Sequence, residues 1–573
     1  MISKKRWLVS GLLSLVAMVL TFSWCVAQEG KQAGPEAKKA APAEEKKAEE
    51  KKEEPPKLPA YFSGANADPK KPDWPDPTGA KSGNWATPAG DGKGDKDLAK
   101  MSPEDLYDRI VHNLFSINMV WTLIAGFLVM FMQAGFALVE AGLCRAKNAG
   151  HTMSMNLMIY PLGCFAFWVY GFALGWGNWY NGPVGPGWYS TLGPGTAVLS
   201  SGIGIDAQKD DKGEPTGAYK YGLLGTKGFC LNGVDDVSVM ALFFFMMVFM
   251  DTTATIPTGA MAERWSWRNF VIYGLWVALP YCIFANWVWG GGWLAQAGLN
   301  WNLGHGAVDF AGSGVVHAMG GFIGLAGAMV IGPRIGKYVD GKPQAIPGHH
   351  IPMVVAGTFI LAFGWFGFNP GSTLAGTDGR IAIIAVNTML ASAAGAFGAY
   401  LWLKFRFGAP DVSMLCNGML AGMVAITAPC AFVTAPASIF IGLVAGVLVI
   451  VSAMFIENTL KIDDPVGASS VHGVCGAWGI LSVGLFADGR YGDGWNGVAG
   501  PVRGLLYGDA SQLGASVIGI LVCALWVGLM TYVSLKVIDL LVGNRVPTRD
   551  ELGGLDVPEM GIEGYAVEMG TEP

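Results

Sequence analysis

The chain has 573 residues, 52% of them hydrophobic and only 14% charged, with a mean hydropathy of +0.38 and a formal charge of −6. This is too apolar for a soluble globular chain of that length and too evenly spread for a single membrane anchor. The small net charge, with no basic stripe, excludes nucleic acid as a partner. The 82 glycines suit closely packed membrane helices. No Cys/Cys or Cys/His spacing among the nine cysteines forms a metal site, so neither metal nor cofactor is expected. Cys164, Cys282, Cys475 and Cys523 fall in apolar runs and read as small buried hydrophobes.

At the N-terminus, Lys4, Lys5 and Arg6 precede an apolar run from Trp7 to about Phe22, and Cys25-Val26-Ala27 offers a small-residue cleavage site. Residues 1–27 therefore read as a signal peptide, with a retained first helix as the alternative. Residues 28–108, with AEEKKAEEKKEEPPK at 43–57, read as a disordered extracytoplasmic spacer rich in Ala, Lys, Glu and Pro. Eleven apolar runs follow, centred near residues 126, 165, 247, 280, 321, 361, 392, 424, 447, 477 and 526. The expected fold is an all-α integral membrane protein of eleven transmembrane helices. Its membrane domain covers 109–541 and its cytoplasmic tail 542–573.

Charge sets the orientation. With the start outside, the inner loops carry Arg145, Lys147, Arg264, Arg268, Arg334, Lys337, Lys342, Lys404, Arg406 and Lys461, and the tail carries Arg545 and Arg549. The short outer loops carry only Arg380, Arg490 and Arg503, as the positive-inside rule requires. The expected location is the cell's inner membrane. Residues 177–235 read as a long outer loop.

One nine-residue stretch occurs twice, DFAGSGVVH at 309–317 and DPVGASSVH at 464–472. Gly321 and Gly476 lie four residues past each histidine, and Gly324 and Gly479 seven past. Eight residues of α-helix rise about 12 Å, which puts His317 and His472 near the middle of a hydrocarbon core about 30 Å thick. The fifth run points inward and the tenth outward. Runs one to five and six to ten then form two five-helix repeats of inverted topology, followed by an eleventh helix, and the histidines meet near the midplane.

The same topology gathers Trp289, Asp309, Phe368, Asn369 and Ser372 at the outer mouth, with Phe245 and Phe249 deeper. Singly, each aromatic residue reads as core or interface anchor. Together with Asp309 and a hydroxyl they make a site for a small cation. Asp309 and Asp464 each start a helix, where a carboxylate caps free backbone N–H groups. Asp464 is followed by Pro465, which favours the first helical position, so it reads as a plain cap.

These residues make the chain resemble the ammonium transporter family (Amt/Mep, related to Rh proteins) over roughly 113–562. The motifs that carry the resemblance are MQAGFALVEAGLCRAKN at 132–148, GAMAER at 259–264, VWGGG at 288–292, DFAGSGVVH and HGVCG at 472–476. The resemblance implies ammonium recruitment by Trp289, Phe249, Ser372 and Asp309, a phenyl gate of Phe249 and Phe368, and a pore lined by His317 and His472. It further implies deprotonation of ammonium and electrogenic passage of ammonia with a proton, in a homotrimer. Three positions depart from the family's pattern. Met246 replaces a common Gln, and Asp251 stands where a small residue is usual, as a functional group or as a partner of Thr252 and Thr253. In the tail motif GLDVPEMGIEGY at 554–565, Met560 replaces a His, which bears on a PII-type regulator of the tail.

Three other functions compete. An ammonium sensor with poor conduction would act through a separate partner, because the tail is too short for a signalling domain. A pore for a neutral solute would have no use for the cation site. An enzyme lacks a nucleophile–base constellation.

Overall fold

Long apolar helices dominate the structure, a computed structural model that describes residues 103–177, 199, 201–209, 213, 215–234 and 237–565. In chain order they are α1 (Pro103–Leu143), α2 (Ala149–Ala166), α3 (Val237–Ala260), α4 (Trp267–Trp276), α5 (Ala278–Val288) and α6 (Met319–Ile331). Then come α7 (Ile351–Phe368), α8 (Arg380–Phe407), α9 (Val412–Thr427), α10 (Ala435–Asn458), α11 (Cys475–Phe486), α12 (Ala510–Val542) and α13 (Thr548–Gly553). Among the described residues ten helical runs, with α4 and α5 counted as one, are long and apolar enough to cross a membrane. The chain is a multi-pass membrane protein. The run expected near residue 424 is α9, whose 16 residues fall short of that length.

Local chemistry sets the helix ends. Asp411 caps α9 through Ser413 N at 2.9 Å, Thr434 caps α10 through Ala437 N at 3.3 Å, and Asp509 caps α12 through Ser511 N at 2.9 Å. Between α4 and α5 the helix is interrupted at Val277. Pro280 has no N–H to give the carbonyl of Trp276. The Tyr170 hydroxyl serves instead, donating to Leu275 O at 2.7 Å and Trp276 O at 3.3 Å.

Two features depart from the sequence reading. The loop expected over 177–235 contains an antiparallel hairpin, β1 (Gly202–Lys209) with β2 (Pro215–Gly225), so the fold is mostly rather than wholly helical. Its glycines, among them Gly202 and Gly204, are residues that read as loop rather than strand. Gly204 has to be small, since a Cβ there would lie 2.4 Å from Cγ of Tyr219. The second departure is the start of α1 at Pro103, inside the stretch expected as spacer. Proline at the first helical position, followed by Glu104 and Asp105, is a helix-start signal. The signal peptide and the rest of the spacer lie outside the described residues.

At the end of the molecule that bears the tail, a buried ion cluster ties several segments together. Arg334 donates to Glu263 at 2.5 Å and to both oxygens of Asp463 at 2.8 and 2.9 Å, while Arg145 donates to Glu263 at 3.0 Å. Burial would raise the Glu263 carboxyl, but Arg334 and Arg145 outweigh it and hold it down from 4.5 to about 2. Burial is likewise outweighed at Asp463, which Arg334 and Arg264 hold down from 3.8 to about 2. Because the folded values are depressed, this stabilisation is fully present above the unfolded values and is lost as pH falls through about 2. Arg334→Met leaves both carboxylates buried without their main partner and is expected to destabilise by about 3–5 kcal/mol. Thermal unfolding in detergent, compared with wild type near neutral pH, checks this.

The tail docks across the same face. Asp556 accepts from Gly150 N at 3.0 Å and His151 N at 2.8 Å, Glu559 from Trp267 N at 2.7 Å, and Glu551 from Ile335 N at 2.7 Å. Lys147 Nζ donates to Glu551 O at 2.8 Å, and the Tyr565 hydroxyl lies 2.6 Å from His349 Nε2.

Candidate functional site

The two copies of the nonapeptide fold alike. Asp309 accepts from Gly312 N at 2.8 Å on one oxygen, and from Gly314 N at 2.8 Å and Val315 N at 2.9 Å on the other. Asp464 accepts from Gly467 N at 3.0 Å and Ala468 N at 3.1 Å on one oxygen, and from Ser469 N at 2.7 Å on the other. Each turn passes through a glycine at positive φ, 111° at Gly312 and 77° at Gly467, where a side chain would be strained.

A π-helical turn follows each Asp, Ser313–Ala318 and Ser469–Val474, and carries the histidine. Sequence periodicity suggests ordinary α-helix here. The wider turn is a local insertion of the kind common at functional sites. Beyond the turns, each helix packs backbone against backbone on the other copy's turn, α6 on Ser469–Val474 and α11 on Ser313–Ala318. A Cβ on Gly321 would lie 2.0 Å from Gly473 N, and one on Gly476 2.4 Å from Ser313 O. That close approach sets His317 Nδ1 3.2 Å from His472 Nδ1, with ring centroids 5.3 Å apart at 26°. Two neutral imidazoles can make this bond only if one Nδ1 is protonated and the other is not. His317 Nε2 is buried and has no partner among the described residues.

Gly321→Ala is expected to push α6 off the turn that carries His472 and destabilise by about 1–3 kcal/mol, because a methyl group would have to displace backbone. Melting temperature in detergent against wild type measures this.

Further rings continue the column. Phe368 stacks on His317 at 5.1 Å and on Phe249 at 4.0 Å, and Trp289 meets Phe249 edge-on at 6.1 Å. On the far side His472 lies 6.0 Å from Phe136. Trp289, Phe249, Phe368, His317 and His472 thus form one buried line of rings. The Trp289 indole donates to the main-chain oxygen of Asp309 at 2.8 Å, and the Ser372 hydroxyl to Phe368 O at 2.7 Å. Asp309 is 2% exposed and its carboxylate is turned onto its own turn rather than toward Ser372. Asp464 has the same local bonding but is only half-buried.

Three further residues that the motifs do not single out support the column. Trp365 stacks on His317 at 4.9 Å and donates to the Thr427 hydroxyl at 2.9 Å. Its spacing of three from Phe368 on one helix face was the available signal. Thr253, four residues after Phe249, donates to Val316 O at 3.3 Å. Phe136 lies inside a motif read only for resemblance. Among the described residues no group of His, Cys, Asp or Glu could hold a metal ion. What the column can do follows from its chemistry. Ring faces attract a small cation, whereas a bare ion pays a large desolvation cost in a dry constriction that a neutral molecule avoids.

Comparisons with known proteins agree on one family. The family model described as Ammonium Transporter Family matches residues 120–565. Ammonium transporter Amt2 of Archaeoglobus fulgidus is 43% identical over 462 residues, 80% of this chain and 90% of that protein. Ammonium transporter Amt1 of Haloferax mediterranei is 34% identical, over 79% of this chain and 80% of its own. Among solved structures, a Sensor Amt Protein matches with TM-score 0.65 and 32% identity, covering 78% of this chain and 99% of that one. Candida albicans Mep2 matches with TM-score 0.62 and 27% identity, covering 78% and 90%.

Proposed function

The chain belongs to the ammonium transporter family, and from that premise we propose that it recruits ammonium at Trp289, Phe249, Ser372 and Asp309, deprotonates it, and passes ammonia with a proton. The gate is Phe249 on Phe368, and the path beyond it runs along His317 and His472. The observation that carries this reading is the buried, unbroken line of rings from Trp289 to His472. The carboxylate of Asp309 acts by holding the turn that presents Trp289 and His317.

With α9 counted, eleven helices cross the bilayer as two inverted five-helix repeats plus α12. The tail lies in the cytoplasm and the start outside, following the charge bias. The working unit is a homotrimer in the inner membrane. The tail's contacts with α2 and α4 make it the place where a PII-type regulator would act, with Met560 in place of the family's His.

A second reading, an ammonium sensor with poor conduction, is favoured by the likeness to the Sensor Amt Protein. Ammonium uptake by proteoliposomes separates the two, since a sensor gives saturable binding with uptake no faster than protein-free vesicles. Within the transport reading, Trp289→Leu and Ser372→Ala are expected to raise the half-saturating ammonium concentration about five- to tenfold. Phe249→Ala and Phe368→Ala act instead on selectivity, increasing potassium leak with a smaller change in half-saturation. Uptake titrations with and without potassium check both pairs.

A further inference from the structure

Helix α3 carries an acid that the line of rings does not use. Asp251 lies two residues past Phe249, 3% exposed, and its Oδ1 has no hydrogen-bond partner among the described residues. The neighbouring hydroxyls are committed elsewhere. Thr252 donates to Val248 O at 2.9 Å and Thr253 to Val316 O at 3.3 Å, so neither satisfies the carboxyl. From α2 the titratable groups facing Asp251 are Tyr160 and Cys164, and no cation faces it among the described residues.

One and two turns further along α3, Thr255 and Thr258 continue a polar stripe. Gln133 of α1 donates to the Thr255 hydroxyl at 2.9 Å, and Thr255 donates to Asn156 Oδ1 at 3.1 Å. Asn156 Nδ2 donates to Glu140 at 2.8 Å, and Thr258 donates to the same carboxylate at 2.7 Å. Glu140 is 3% exposed and lies three residues before the end of α1. The titratable groups around it are Asp464, Cys144 and Tyr273. Two buried acids thus bracket a column of hydroxyls and amides between α1, α2 and α3, off the line of rings.

We propose that Asp251 is a proton-binding site, exchanging with the cytoplasm through the column that ends at Glu140, and that its occupancy makes transport respond to cytoplasmic pH. This rests on the transport reading for its orientation. A carboxylate without a cation is costly at such depth, and a proton removes that cost. The proton enters from cytoplasmic water at the Glu140 carboxylate. The Thr258 hydroxyl, hydrogen-bonded to that carboxylate, accepts one proton and releases one. Water bridging the hydroxyls of Thr258 and Thr255 and the Asp251 carboxylate relays it, and Asp251 takes the last, while Asn156 and Gln133 hold the Thr255 hydroxyl in place. Asp251 lies between Phe249 and Thr253, whose hydroxyl touches the carbonyl just before His317. A change of charge there therefore acts on the helix that carries the gate.

The test uses the full-length chain in proteoliposomes, with internal pH varied at fixed external pH, together with infrared spectra of the same samples. Wild type is expected to change its ammonium uptake with internal pH and to show a carboxylic-acid C=O band that titrates with it. Asp251→Asn should lose that band and flatten the pH response to within about twofold, while still transporting. Thr255→Val should keep the band but slow its deuterium exchange about tenfold. A folded Asp251→Asn with the wild-type band and pH response overturns the proposal. Should that variant not fold, unchanged exchange in Thr255→Val overturns it. If wild type moves no ammonium, the transport reading fails, yet the band at Asp251 still decides the proton site.

Discussion

Replacing His317 and His472 together by leucine is expected to lower ammonium transport about ten- to a hundredfold while the protein still folds and assembles. The two rings touch through Nδ1 at 3.2 Å and are buried between Phe368 and Phe136. A solute passing the phenyl pair meets the nitrogens of these two rings, whereas the Trp365 indole N–H beside them is committed to the Thr427 hydroxyl. Losing one or two polar partners at about 1–1.5 kcal/mol each raises the barrier by that amount. Folding should survive, because leucine fills a similar volume and removes two polar groups rather than stranding one. Aspartate at both positions should instead alter selectivity, by offering negative charge to a cation. Uptake and potassium exclusion, with assembly checked by size exclusion, decide it. A double variant that transports and selects like wild type makes the histidines structural.

The second large effect is an asymmetry between the repeats. Asp309→Asn is expected to abolish transport nearly completely, and Asp464→Asn to reduce it only mildly. Both carboxylates use both oxygens on backbone N–H groups of their own turn. Asparagine keeps one acceptor and points an NH2 at the donors the other oxygen served. At Asp464, which is half-buried, water can replace that oxygen. At Asp309, 2% exposed, the stranded N–H groups cost about 1–3 kcal/mol. The strain falls on the turn that holds Trp289 by its indole and leads into His317. Ammonium-evoked current from each variant, with assembly checked by size exclusion, measures the difference. Equal losses at the two positions contradict the asymmetry.

The repeat was the most legible feature of the chain because it is written in residue identity. Asp, Gly and His recur at the same offsets, and the glycines that let each helix meet the other copy's turn are visible at 321 and 476. Helix positions were equally plain, since hydropathy reports them directly. Two things were hidden. The π-helical turns at Ser313–Ala318 and Ser469–Val474 have no composition signature distinct from α-helix. The strands of the hairpin over Gly202–Gly225 hold five glycines, at 202, 204, 217, 222 and 225, a composition that reads as loop rather than strand. The capping expected at Asp309 holds, and the left-handed glycine at 312 turns the acid onto the N–H groups of its own turn.

The claim on which the account stands is that the buried line of rings from Trp289 to His472 carries ammonium. Current and ammonium uptake recorded on the same proteoliposomes, with methylammonium and potassium in parallel, test it most directly. The account predicts saturable uptake with inward positive current for ammonium, a smaller response to methylammonium and none to potassium, all strongly reduced in the double-leucine variant of His317 and His472. Uptake no faster than in protein-free vesicles, or equal potassium current, would contradict it.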